Sequence, residues 1–280
     1  MPANTKNMHT LLTDQWIPSR LENISCIGKK VKSNGWPYIL AWVHRITGLL
    51  LILYLFVHIA TLSSLTSPEA YEQKMNIFTY PLFMFLEWLL AVPVIYHALN
   101  GGRLLAYELL GVRIDSFLIR CVFYLSLIYV VFLGILMIRG DQTVSSFFFW
   151  FFALIISLIL VFILYLKQKY FFKRHSILWS LQRITAILLL VLIPAHMLFN
   201  HLNVSMGHDP DMIIRRLNSG FIKFIDIVIL LSILYHAAYG LFSISNDYLE
   251  KQSYKNMSSV VIVIVMLVFV YFGLGTIFAI

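Results

Sequence analysis

Seven apolar runs, each of about 20 residues and so long enough to cross a bilayer as helix, fall near residues 38–62, 81–105, 117–138, 147–166, 178–201, 221–245 and 257–280. This pattern predicts an all-α integral membrane protein with about seven transmembrane helices. Polar punctuation between the runs suggests where they start and stop. Gly35-Trp36-Pro37 predicts a chain reversal ahead of the first helix, Asn100-Gly101-Gly102-Arg103 an end to the second, and Arg139-Gly140-Asp141 a tight turn after the third. Thr66-Ser67-Pro68-Glu69 combines an N-cap with Pro at N1 and points to a short interfacial helix over Tyr71 to Asn76. The fourth run, Phe147 to Leu166, contains no ionisable group.

The pattern also repeats. Ala41–His58 returns as Trp179–His196, with Arg45, Ile46, Thr47 and His58 matching Arg183, Ile184, Thr185 and His196 at an offset of 138. Tyr96, His97 and Gly101 match Tyr235, His236 and Gly240 at an offset of 139. Two three-helix repeats of the same orientation need one extra crossing between them, and the featureless fourth run supplies it. The expected organisation is an N-terminal arm at 1–37, a first repeat at 38–140, a connector helix with a basic loop at 141–174, and a second repeat at 175–280.

Composition agrees with a membrane setting: 60% of residues are hydrophobic, 12% charged, and the mean hydropathy is +0.83. The net charge of +8 does not make a nucleic-acid surface, because its location follows the positive-inside rule. With the N-terminus cytoplasmic, only Lys74, Arg139, Arg215, Arg216 and Lys223 fall outside. The C-terminus is then external. Cys26 and Cys121 form no redox motif, no Cys-x-x-Cys-His occurs for covalent haem attachment, and the polar first 37 residues contain no secretory apolar core.

Histidines inside apolar helices are costly unless paired, buried or bound. His97 and His236 occupy equivalent places in the inner half of the membrane, and His58 and His196 equivalent places near the outer ends. A pseudo-two-fold axis lets each pair face itself, as a bis-histidine haem b site requires. From His44 to His58 the first helix climbs roughly 21 Å, enough for two haems stacked across the bilayer. The plainer reading is hydrogen bonding within the bundle. Haem propionates want cations at the inner edge, where His44, Arg45, Arg183 and Arg103 lie; the plainer role for Arg45 and Arg183 is interfacial snorkelling. Glu87 and Asp226 each precede a histidine by ten residues. Either they exchange protons at an outer quinone site, or they sit at helix starts stabilised by the dipole.

These residues resemble the cytochrome b membrane anchor of succinate dehydrogenase and fumarate reductase. The first half resembles the larger anchor subunit through His44-Arg45-Ile46-Thr47-Gly48, Ser67-Pro68-Glu69-Ala70, and Tyr96-His97 followed by Gly101 and Arg103. The second resembles the smaller anchor through Arg183-Ile184-Thr185-Ala186, His236-Ala237 with Gly240-Leu241, and Asp247-Tyr248. The resemblance implies that His97 and His236 ligate a proximal haem b, that Arg45 and His44 lie near its propionates and an inner quinone site, and that Tyr248 and Asp247 contact quinone. In two-haem relatives additional helix histidines hold a distal haem, a part that falls to His58 and His196 here. Two departures stand out: Ala41 replaces the serine found before the His-Arg motif in some relatives, and two anchors are fused in one chain.

The function expected is electron transfer between menaquinone or ubiquinone and the iron-sulfur subunit of a succinate:quinone oxidoreductase or quinol:fumarate reductase in the bacterial inner membrane. The iron-sulfur and flavoprotein subunits would dock on the cytoplasmic face, and no dicarboxylate chemistry resides in this chain. The competing readings are the cytochrome b anchor of a hydrogenase or formate dehydrogenase, and a haem-free transporter with parallel repeats.

Overall fold

The computed structural model describes residues 28–78, 80–110, 115–139, 146–171, 176–201 and 209–279, and within them every regular element is helical. The order is α1 (Gly28–Leu62), a 3-10 turn (Ser63–Thr66), α2 (Pro68–Phe78), α3 (Pro81–Leu110), α4 (Asp115–Arg139), α5 (Ser146–Phe171), α6 (Ile177–His196), a π turn (Met197–His201), α7 (Pro210–Leu217), α8 (Gly220–Tyr248) and α9 (Gln252–Ala279). Among the described residues α1, α3, α4, α6, α8 and α9 are long and apolar enough to cross a membrane, and α5 carries the apolar stretch Trp150–Leu166. The chain is an all-helical integral membrane protein with about seven spans, as the apolar pattern predicts. Among the described residues large hydrophobic side chains are exposed more often than buried, Leu53, Leu127 and Val263 among the exposed, which suits a lipid solvent.

Helices α1, α3, α6 and α8 surround a central cavity, with α4 packed on α3, α9 on α8 and α5 on α6. Trp150 of α5 is fully buried among Leu192, Ala195, Ile222 and Ile225, so α5 is keyed to α6 and α8 by one large side chain. Equivalent positions close equivalent bonds. Tyr96 donates to the Leu40 carbonyl and Tyr235 to that of Leu178; Thr47 donates to the Val43 carbonyl and Thr185 to that of Leu181.

The structure corrects two boundaries. No reversal occurs at Gly35-Trp36-Pro37, because α1 begins at Gly28 and runs through Pro37. A proline costs a helix one hydrogen bond, which membrane helices tolerate. Nor does Asn100-Gly101-Gly102-Arg103 end the second span, since α3 continues to Leu110. The glycines there face neighbouring helices at ordinary contact distance: a Cβ on Gly102 would lie 3.4 Å from Leu190 of α6, and one on Gly101 3.7 Å from His44 of α1. Arg103 donates through Nε to Asn100 Oδ1 at 2.9 Å, one turn back along the helix. Ser67 caps α2 as expected, accepting from Ala70 N. Of the turn expected at Arg139-Gly140-Asp141, only Arg139 lies among the described residues. His9, His175, His208 and Cys26 fall outside them.

Gly134 marks the tightest seam of the first half. Trp88 of α3 donates its indole N–H to the Val130 carbonyl of α4 at 3.1 Å, and a Cβ on Gly134 would stand 2.7 Å from that nitrogen. Gly134→Val should therefore displace the indole and destabilise the fold by about 1–3 kcal/mol, the usual cost of overpacking. Thermal denaturation in detergent should show a lower midpoint, whereas Gly275→Ala, with open space around its Cβ, should leave it in place.

Candidate functional site

The cavity holds about 980 Å³, at the top of the range for small-molecule sites, about 300–1,000 Å³. It runs from Arg45 and Arg183 at one end of the bundle to His58, His196 and Arg216 at the other. These are the Arg45 end and the His58 end below.

At the Arg45 end the rings of His97 and His236 face each other with centres 6.3 Å apart and planes at 84°. With metal–nitrogen bonds of about 2.0–2.1 Å, two imidazoles on opposite sides of one ion have centres roughly 6.4 Å apart, so the pair stands at ligating distance. The His97 Nδ1–H donates to the His44 carbonyl at 3.1 Å, and Thr47 Oγ1 lies 3.2 Å away. That fixes the tautomer and leaves Nε2 for a ligand, the outer-shell arrangement typical of metal-bound histidine. Gln182, 138 positions after His44, turns its carbonyl toward His236, although no ordinary hydrogen bond closes and His236 Nδ1 has no partner. His44 stacks on His97 with ring centres 3.8 Å apart and planes 8° from parallel, its own Nδ1 buried and unpartnered.

Small residues keep the space around these rings open. A Cβ on Gly240 would meet nothing within 4 Å, and one on Gly48 would press on His97 Cε1 at 3.1 Å. Both line the cavity, as does Gly101. Ligating pair, buried unpartnered nitrogens and glycine-lined space together fit a flat bis-histidine haem.

The cations flanking this end are each held by a carboxylate from the opposite half. Arg45 of α1 pairs with Asp247 of α8 at 2.5 Å, and its Nη1 donates to Tyr248 Oη at 2.7 Å. Arg183 of α6 forks onto Glu108 of α3, with Nε and Nη2 each 2.8 Å from a carboxylate oxygen. Glu108 and Asp247 stand 139 apart, so the two bridges are equivalents exchanged between the halves. Glu108 escapes the reading of the histidine motifs, although the repeat offset applied to Asp247 points straight at it. Tyr248 is 49% exposed and so open to a ligand in the membrane, with Trp42 beside it at 5.7 Å between ring centres.

At the His58 end, His58 and His196 also face each other, with centres 6.2 Å apart and planes at 86°. A third ring, His201, joins them at 5.9 Å from His58 and 5.6 Å from His196. Glu87 of α3 accepts from His201 Nδ1–H at 2.9 Å. Asp226 lines the same cavity from α8. Outside the spans, Tyr71 of α2 is buried, and burial together with the Glu87 carboxylate pushes its hydroxyl pKa up to about 12; it remains a donor across the physiological range. Arg216 of α7 lies over the Phe199 ring at 5.0 Å, its pKa lowered by burial.

Comparison with known proteins gives a consistent family. The model of the family described as "Succinate dehydrogenase/Fumarate reductase transmembrane subunit" matches residues 35–133 and 166–273. The chain is 34% identical over 76 residues to the succinate dehydrogenase 2 membrane subunit SdhC of Mycobacterium tuberculosis, covering 26% of this chain and 56% of the relative. It is 38% identical over 79 residues to the succinate dehydrogenase hydrophobic membrane anchor subunit of Halobacterium salinarum, covering 27% of this chain and 60% of the relative. The alignments thus span a little over half of these relatives' lengths. No solved structure matches the chain significantly.

Proposed function

We propose a function from one premise: the chain belongs to the succinate dehydrogenase/fumarate reductase transmembrane-subunit family, whose model covers most of its length. In our reading it is the haem b anchor of a succinate:quinone oxidoreductase or quinol:fumarate reductase, built of two parallel three-helix repeats around the connector α5. The N-terminus and the Arg45 end face the cytoplasm, and an iron-sulfur and a flavoprotein subunit dock there. The observation that carries this reading is the His97–His236 pair at 6.3 Å.

When bound there, haem supplies a one-electron carrier within the low-dielectric interior. The chain's part is to orient it. The His44 carbonyl holds His97 with Nε2 toward the cavity, while Arg45, Arg183, Arg103 and His44 lie where the haem carboxylates need cations and donors. At the same end Tyr248 accepts from Arg45. Its own hydrogen is then available to a quinone carbonyl oxygen. Asp247 keeps Arg45 oriented for this task.

His58 and His196 have the spacing for a second haem once His201 turns aside, with Glu87 and Asp226 serving an outer quinone site. A reduced-minus-oxidised spectrum of the chain purified with its partner subunits should show b-type bands, and their absence would sink the reading. His58→Ala and His196→Ala should each reduce two haems per chain to one, leaving the haem of His97 and His236; an unchanged ratio in both variants excludes the outer haem.

A further inference from the structure

The three histidines of the His58 end are arranged in a way a haem alone does not use. Each brings a nitrogen within 4.8 Å of the other two. Their ring centres form a nearly equilateral triangle, with sides of 6.2, 5.9 and 5.6 Å. His201 therefore stands beside the midpoint of His58 and His196, within the radius of a porphyrin, and blocks a macrocycle there as long as it keeps that position.

Every Nδ1 in the triangle faces a polar side chain. Glu87 accepts from His201 at 2.9 Å, the Asn200 side-chain amide lies 2.9 Å from His196 Nδ1, and Tyr54 Oη lies 3.5 Å from His58 Nδ1. As placed, the Asn200 amide nitrogen donates to His196 Nδ1; turning the amide over puts its oxygen there, and Asn200 then accepts from His196 Nδ1–H. With the amide so turned and Tyr54 accepting from His58 Nδ1–H, each ring keeps Nε2 as a lone-pair donor for a common ligand. Carboxylate–histidine–metal triads have this construction. The backbone provides for it too, because the π turn over Met197–His201 brings residues five apart onto one face.

We propose that, whenever no haem is bound at the His58 end, His58, His196 and His201 form a site for one divalent transition-metal ion of the zinc class. Three imidazoles with an open fourth position are a known zinc ligand set. Small rotations of the three rings bring the nitrogens to bonding distance. Two carboxylates at this end, Glu87 on His201 and Asp226 on the cavity wall, match the charge of a divalent ion in an apolar interior, where an unmatched one is costly. Metal and outer haem exclude each other, and the position of His201 decides between them. The proposal does not depend on haem at His97 and His236.

The test uses the full chain, expressed under haem limitation, purified in detergent and titrated with Co²⁺. One Co²⁺ per chain should bind, with the visible bands of a four-coordinate site. His201→Ala and His58→Ala should weaken binding at least 100-fold and Glu87→Gln about 10–100-fold, while His97→Ala should leave it unchanged. Chain loaded with Co²⁺ should take up one haem fewer than metal-free chain. Failure to bind, or equal binding by wild type and His201→Ala, would overturn the site, as would undiminished haem uptake beside bound Co²⁺ in a chain that takes up two haems when metal-free. A missing b-type spectrum with Co²⁺ still bound would instead overturn the haem reading and leave this one standing.

Discussion

His97→Ala is expected to remove the haem of the Arg45 end entirely: haem per chain falls by one, and electron transfer to quinone falls to background. Loss of a ligand is only part of the reason. His97 also anchors His44 by stacking at 3.8 Å and ties α3 to α1 through the His44 carbonyl. The substitution therefore leaves His236 facing an empty side of the cavity and frees the ring that borders it. His236→Ala should give the same haem loss, whereas Gly275→Ala should not. Haem extraction with parallel absorbance spectra measures the ratio. A full complement of haem in either histidine variant would refute the assignment.

Tyr248→Phe should lower quinone reduction about 100-fold while haem content stays constant. The phenol is half exposed, and its oxygen already accepts from Arg45. The hydroxyl can still donate its hydrogen, and phenylalanine removes that donor, together with the oxygen that meets Arg45, while keeping the ring against Trp42. Loss of a single donor aimed at developing negative charge typically costs a factor of about 10²–10³. Arg45→Lys tests the same site from the other side. A lysine cannot keep both the Asp247 and Tyr248 contacts of the planar fork, so activity should fall with haem retained. Steady-state reduction of a short-chain quinone by the assembled complex reads both variants, and undiminished turnover in Tyr248→Phe would remove the residue from the quinone site.

Much of this site was legible before any coordinates, because it was written twice. A repeat makes a residue's surroundings partly known from its twin's, so the offset of His97 and His236 was enough to expect two rings facing one another. Contacts that depend on backbone detail were harder to read. In a regular α-helix His196 and His201 lie about 140° apart, so sequence gave no reason to put them together; the π turn supplies it. Gly101 and Gly102 carry the signature of a helix end, yet the helix runs on through them, with His44 beside the first and Leu190 beside the second. Glu108 stood in plain view at the correct offset from Asp247, but acids near a helix end are common. Only the matching fork onto Arg183 distinguishes it.

The exchanged bridges also bear on how such a molecule is put together. Each half contributes one guanidinium and one carboxylate, and each gives its carboxylate to the other. A half of this kind is self-complementary: two identical copies related by a two-fold axis would satisfy every charge, as in an isologous dimer. Within a single chain the two halves need not be identical. Tyr248 follows Asp247, but Leu109 follows Glu108, so the position after the acid bears a phenol in only one half. The electrostatic clasp is thus matched on both sides, whereas among the described residues a tyrosine hydroxyl joins it only at Arg45.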